Sequence, residues 1–136
     1  MEGIAIRAGG FDDLPQVSGI QNASLEAAQW PVTDYLSHSF LVVEIAGTIA
    51  GFAVWRGVGE GEWELLNIAV DPLFRRRGVG RRLVEALPAG RIFIEVRESN
   101  KAARAFYESS GFAASGRRRG YYYSPDEDGI VMELEK

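Results

Sequence analysis

Glycines and arginines that follow an apolar run form the most chemically informative pattern in this 136-residue sequence. Residues 64–82 read E-L-L-N-I-A-V-D-P-L-F-R-R-R-G-V-G-R-R, so an apolar strand ends at Asp71-Pro72 and a helix opens near Gly80. Unpaired N–H groups of a first helical turn and the helix dipole favour a bound anion, and glycine lets the backbone approach it closely. The segment therefore predicts a phosphate-binding loop.

Two common nucleotide-binding motifs do not fit this loop. The Walker loop requires a Gly-Lys pair, which the sequence lacks, and the dinucleotide fingerprint requires a third glycine where Leu83 stands. The pattern that remains is R-x-x-G-x-G, from Arg75 to Gly80, directly after the strand. A basic, solvated surface turn is the alternative interpretation.

Composition narrows the possible classes of protein. The length suits one domain with a sizeable core, and a net charge of −4 makes nucleic acid an unexpected partner. With no long apolar run and no signal peptide, we expect a cytoplasmic protein without membrane association. Cysteine is absent and His38 is the single histidine, which excludes disulfides, a cysteine nucleophile, and thiolate or multi-histidine metal sites. We therefore expect no metal.

Hydrophobic periodicity and turn residues predict the order β-α-α-β-β-β-α-β-α-β-β. The predicted strands are 3–8, 39–45, 48–56, 63–70, 91–97, 112–123 and 129–135. The predicted helices run from Asp12 or Asp13 to about 27, from a Thr33 cap to 36, over 79–87, and over 101–110 after a Ser99 or Asn100 cap. Glycines at 57, 59 and 61 predict a mobile connection. Residues 124–128 are predicted to form a loop.

The strand ending I-A-V-D-P and the R-x-x-G-x-G loop together resemble the coenzyme A pyrophosphate loop of the GCN5-related N-acetyltransferases (GNAT). The element order is also similar to that family's. The resemblance implies an α/β (α+β) fold with a mixed sheet of about seven strands, splayed between strands four and five and flanked by about four helices. We expect 1–136 to form a single domain of this type.

A second block sharpens the resemblance. Residues 94–112 read I-E-V-R-E-S-N-K-A-A-R-A-F-Y-E-S-S-G-F and look like the matching block of the RimI group, bacterial enzymes that acetylate an N-terminal alanine of a ribosomal protein. The resemblance is dense over 65–134 and thin before 60, where acceptor selectivity usually lies. The sequence departs from the group at Arg75, where Gln is common, at Gly120, where Asn is common, and in the additional Tyr121.

The resemblance implies acetyl-CoA as co-substrate and a set of residues that would hold it. The strand end would pair with the pantetheine arm, with the Val70 N–H polarising the thioester carbonyl, and the loop would bind the pyrophosphate. Asn100 matches a position that contacts the cofactor, although capping the following helix is an equal alternative. The implied cofactor-binding residues are Ile68, Ala69, Val70, Arg75, Arg76, Arg77, Gly78, Val79, Gly80, Arg81 and Asn100.

Candidate acid and base groups follow the loop. Glu95 lies mid-strand on the face opposite Ile94 and Val96, where a carboxylate is costly without a partner or a role. RimI-type enzymes place their general base at this position, whereas other GNAT branches place it at the position of Glu64. Tyr107 matches the tyrosine that acts as general acid. The alternatives are an ordinary paired glutamate and a core tyrosine.

The resemblance implies a RimI-like transfer of acetyl to a protein N-terminal amine, on a ribosomal protein beginning with alanine. Without cysteine an acetyl-cysteine intermediate is impossible, so direct attack by the amine is the economical mechanism. A GNAT enzyme acting on a small-molecule amine or another peptide is one alternative. A non-catalytic acyl-CoA-binding module is the alternative from a different class.

Overall fold

The computed structural model describes residues 3–24, 26–123 and 126–136. Seven strands form a mixed sheet: β1 (Ile4–Ala8), β2 (Ser39–Ile45), β3 (Thr48–Gly59), β4 (Glu62–Val70), β5 (Arg91–Arg97), β6 (Ala113–Tyr122) and β7 (Glu127–Glu135). Their order across the sheet is β1-β2-β3-β4-β5-β7-β6. The helices are α1 (Leu14–Ala23), α2 (Val79–Ala86) and α3 (Lys101–Ser109), with 3-10 helices at Phe11–Asp13, Val32–Ser37 and Pro72–Phe74. The predicted fold class and element order are confirmed.

The parallel ladder between β4 and β5 is short. It consists of the pairs Glu62–Arg91, Trp63–Ile92 and Glu64–Phe93. The ladder therefore ends while both strands continue, to Val70 and Arg97, as the predicted splay requires. Within the described ranges, no helix is long and apolar enough to cross a membrane.

The chain divides into two compact units, Met1–Arg56 with Leu65–Leu87 and Gly57–Glu64 with Pro88–Lys136. In the first, the apolar face of α1 (Leu14, Val17 and Ile20) belongs to one buried cluster with β2 and β3 residues such as Val42 and Phe52. In the second, the buried residues of β5 alternate, and Ile94 and Val96 pair with Met132 and Ile130 of β7. That the whole chain forms one domain stays a prediction.

The first two predicted helices differ from the structure. Helix α1 ends at Ala23 rather than near residue 27, because Ser24 is extended and its hydroxyl donates to the Ile20 carbonyl at 2.6 Å, which competes with helix continuation. The second helix is the 3-10 helix Val32–Ser37, with Pro31 rather than Thr33 at its N-cap. Asp13 precedes α1, but its carboxylate binds Arg7 and the Gly10 N–H instead of capping the helix.

The predicted mobile connection at 57–61 was wrong. Strand β3 continues to Gly59, and a tight turn with Gly61 at φ 67° leads into β4. The ring of Trp63 covers Gly57, where a Cβ would lie 3.4 Å from Cζ3. At the last predicted loop, Glu127 and Asp128 belong to β7, whereas positions 124 and 125 lie outside the described residues.

Gly51 of β3 allows a close approach inside the first unit. A Cβ at this position would lie 2.9 Å from the Ala69 carbonyl oxygen, 3.1 Å from Val79 Cγ1 and 3.2 Å from Leu83 Cδ1. The end of β4 and the first turns of α2 therefore pack directly against the β3 backbone. The missing side chain helps to place the loop that joins these two elements, the predicted phosphate-binding loop.

We predict that Gly51→Ala lowers the free energy of unfolding by about 1–3 kcal/mol, because backbone and packed side chains surround the added methyl group. Gly19→Ala in α1 is the matched control. Its Cβ would meet nothing within 4 Å, so we expect a gain of about 0.5–1 kcal/mol from helix propensity. Urea denaturation measures both, and a Gly51→Ala variant as stable as the wild type would contradict the packing argument.

Candidate active site

The end of β4 is shaped by Asp71. Its N–H donates to the Ala50 carbonyl at 2.8 Å, which keeps the strand end on β3, and its Oδ1 accepts from the Leu73 N–H at 2.9 Å. Pro72 occupies the first position of the 3-10 helix that this carboxylate caps, where its fixed φ and missing N–H are favourable. The chain therefore leaves the sheet in one defined direction.

The loop after this turn has the geometry of an anion cradle. Arg76 and Gly78 have left-handed φ angles of 63° and 77°, and α2 begins directly after Gly78. The Arg82 N–H donates to the Gly78 carbonyl at 3.1 Å, as the first bond of the helical ladder. The N–H groups of Val79, Gly80 and Arg81 precede that ladder, so helix geometry leaves them for an outside acceptor. The space beside Gly78 is open, since a Cβ there would meet nothing within 4 Å.

The predicted pantetheine-pairing residues lie at the buried end of β4. Ile68 and Ala69 are fully buried and Val70 is 6% exposed. The Ser24 hydroxyl lies 3.4 Å from the Val70 carbonyl oxygen, so the residue after α1 reaches the strand end. The pairing of these residues with the cofactor stays a prediction.

Arg75 has a partner that the sequence did not reveal. Its Nη2 lies 3.0 and 2.9 Å from the two carboxylate oxygens of Glu26, whose side chain is only 6% exposed. The guanidinium therefore ties the loop to the segment after α1. Arg77 lies over the Phe74 ring, 5.4 Å from its centroid. Of the predicted cofactor-binding arginines, these two have side chains in local contacts, and their contribution to phosphate binding stays a prediction.

We predict that removing either member of this ion pair lowers the free energy of unfolding by a different amount. Arg75→Gln removes the cation from a buried carboxylate and should lower the free energy of unfolding by about 1–3 kcal/mol. Glu26→Gln should cost less, because the remaining Arg75 is 43% exposed and stays hydrated. Chemical denaturation of both variants measures the difference, and equal losses would contradict this account.

A second feature missed by the sequence reasoning is the buried amide of Asn67 in β4, which is 1% exposed. Its Nδ2 donates to the Ala28 carbonyl at 2.8 Å, the Tyr35 hydroxyl at 3.0 Å and Gln21 Oε1 at 3.1 Å. Its Oδ1 accepts from the N–H groups of Ala28 and Ile68. The signal was present, since an amide inside an apolar strand needs partners.

Glu95 lies in the middle of β5, with its side chain 21% exposed. Its Oε1 accepts a hydrogen bond from Arg118 Nη1 of β6 at 2.8 Å. That bond is the main cause of the raised pKa of Arg118, to which the charge of Glu64 also contributes. Glu64 pairs with Phe93, two residues before Glu95, so both candidate bases share one face of the sheet. The paired-glutamate alternative thus describes the observed contact, and the role of base stays a prediction.

Asn100 and Tyr107 belong to α3. Asn100 caps the helix, with Oδ1 accepting from the Ala103 N–H at 3.0 Å, so the capping role is confirmed and the cofactor contact stays a prediction. Tyr107 is 1% exposed and meets the rings of Phe106 and Phe112 edge-on, at centroid distances of 5.3 and 5.4 Å. Tyr107 therefore packs in the core of its unit, and its role as general acid stays a prediction.

The chain is a member of the acetyltransferase (GNAT) family, whose model matches residues 13–112. A curated relative, the [ribosomal protein bS18]-alanine N-acetyltransferase of Escherichia coli K12, is 44% identical in an alignment that covers 90% of each chain. The crystal structure of the Escherichia coli ribosomal-protein-S18-alanine N-acetyltransferase superposes with a TM-score of 0.75 and 34% identity, over 96% of this chain and 92% of that one. Ard1 from Thermoplasma volcanium gives a TM-score of 0.81 and 29% identity, over 97% of both chains.

Proposed function

We propose that this protein is an acetyl-CoA-dependent N-acetyltransferase that acetylates the N-terminal amine of a protein, with a ribosomal protein beginning with alanine as the acceptor. The observation that carries the proposal is the cradle at the start of α2, in a chain 44% identical to a ribosomal-protein-alanine N-acetyltransferase over 90% of its length. A cytoplasmic location, which this acceptor would require, is part of the proposal.

In the first unit, residues of β4 and the loop would bind the donor. The N–H groups of Val79, Gly80 and Arg81 fit a pyrophosphate, because they precede the helical ladder at the positive end of the α2 dipole. The side chains of Arg76 and Arg81 add positive charge around it. The strand end at Ile68–Val70 would hold the pantetheine arm through backbone bonds, as an added strand does.

In the second unit, Glu95 and Tyr107 would move protons. An α-ammonium has a pKa near 8, so Glu95 need only accept its proton, directly or through a water, to generate the nucleophilic amine. The amine nitrogen forms a bond to the acetyl carbon as the carbon–sulfur bond breaks, and the Tyr107 hydroxyl donates a proton to the departing thiolate. The acylated nitrogen then loses its surplus proton to water, and the Tyr107 oxygen regains a proton from water. Because the chain has no cysteine, no acetyl-cysteine intermediate forms. Holding both reactants in place can contribute about 7–11 kcal/mol in favourable cases.

We predict that Glu95→Gln and Tyr107→Phe each lower kcat about 100-fold or more, since general acid–base groups contribute factors of that order. Both variants should keep their affinity for acetyl-CoA, measured by thermal shift, because neither substitution touches the α2 cradle. Glu64→Gln is the matched control, as it removes a carboxylate from the same face of the sheet. If Glu95→Gln retained full kcat across pH while Glu64→Gln lost it, Glu64 would be the base.

The acceptor is tested with acetyl-CoA and a panel of short peptides that differ only at the N-terminal residue. We expect the highest kcat/KM for the peptide beginning with alanine, measured as thiol release and as a mass increase of one acetyl group. Acetylation of polyamines or aminoglycosides alone would overturn the protein acceptor and leave the enzyme class intact. Binding of acetyl-CoA without turnover of any amine would indicate an acyl-CoA-binding module.

A further inference from the structure

Arg118 reaches Glu95 across an intervening strand. In the sheet order β5-β7-β6, Glu95 pairs with Val131 of β7, and Arg118 pairs with Gly129 of the same strand. Gly129 and Val131 are two residues apart, so the Glu95 and Arg118 side chains lie on one face of the sheet. The Arg118 guanidinium reaches over β7 and donates a 2.8 Å hydrogen bond to Glu95 Oε1.

The Tyr121 ring packs against the arginine. The Arg118 guanidinium carbon lies 4.3 Å from the centroid of the Tyr121 ring, and Tyr121 meets Tyr122 edge-on at 5.1 Å. A Cβ on Gly129 would lie 3.3–3.4 Å from these two rings, so the glycine accommodates them. The pKa of Tyr122 is raised, first by burial and then by the negative charge of Glu95, so the carboxylate lies close enough to act on this ring.

We propose that Arg118 is a positioning residue for Glu95, binding one carboxylate oxygen so that the other faces the acceptor. This proposal rests on the proposed function, in which Glu95 is the base. A charge-assisted hydrogen bond fixes the rotamer of the acceptor carboxylate, and a cation in contact favours the ionised form. Oε1 is occupied by the arginine, which leaves Oε2 to receive the proton.

Other charged and titratable groups act on this pair. The charge of Glu64, on β4 next to β5, contributes to the raised pKa of Arg118. Arg97 lies two residues after Glu95 on β5, stacked over the Tyr122 ring at 4.4 Å and hydrogen-bonded to Glu127. Arg97 thus has an acidic partner in Glu127, whereas the cation that the structure places in hydrogen-bond contact with Glu95 is Arg118.

The test is the pH dependence of kcat/KM for an alanine-initiated peptide, in the wild type, Arg118→Ala, Arg118→Lys and Arg119→Ala. We expect Arg118→Ala to shift the acidic midpoint upward by about 0.5–1 pH unit, since half-exposed cations act more weakly than buried ones. Arg118→Lys should show a much smaller shift than Arg118→Ala, because lysine keeps the positive charge. Arg119→Ala is the control, because it removes the same charge from the adjacent residue. Arg119 and Arg117 both help to lower the pKa of Asp128. We expect this variant to have the acidic midpoint of the wild type.

Two outcomes would overturn the proposal. In the first, the acidic midpoint stays unchanged in Arg118→Ala, even if kcat falls, so that Arg118 acts only as structural support. In the second, Arg119→Ala shifts the midpoint as much as Arg118→Ala, so that overall surface charge is the cause. Thermal unfolding and acetyl-CoA binding confirm that each variant is folded. Failure of the proposed role of Glu95 as base would give a different result, because Glu95→Gln would then keep full kcat.

Discussion

A buried amide in β4 constrains much of the first unit. Asn67 lies in an apolar strand, so every polar atom of its side chain must find a partner, and it does so with Gln21, Ala28 and Tyr35. A shift of β4 by one residue would turn this amide to the opposite face and leave those partners unsatisfied. The register of β4 is therefore strongly specified. The positions of Ile68–Val70, of the turn at Asp71 and of the segment after α1 all follow from it.

The arginines show why a cluster of basic residues is an ambiguous signal. The guanidinium groups of Arg75 and Arg77 contact Glu26 and the Phe74 ring, so part of the positive charge in the loop maintains its shape. The proposed anion binding at α2 would then depend mainly on backbone N–H groups, in a loop shaped by the left-handed residues Arg76 and Gly78. This division would let a chain with net charge −4 present the proposed phosphate site.

The sequence predicted what depends on local chemistry. The bounds of β5, the Asn100 cap and the turn into α2 follow from periodicity and capping residues, and the structure confirms them. Contacts between distant segments could not be predicted. The partners Glu26 for Arg75 and Arg118 for Glu95 are 49 and 23 residues away, and the packing of distant segments decides both. The early end of α1 was missed because the Ser24 hydroxyl bonds its own helix.

The shared face of Glu64 and Glu95 affects how substitutions there are interpreted. Arg118 hydrogen-bonds to Glu95, and the charges of Glu95 and Glu64 both raise the pKa of Arg118. Removing the charge of Glu95 leaves Glu64 as the carboxylate that acts on Arg118, and removing Glu64 leaves Glu95 in that role. A moderate loss of rate in Glu64→Gln could therefore arise through Arg118 without Glu64 taking a proton. Only the combination of single and double variants separates the two carboxylates, because groups that share a charged partner are not additive.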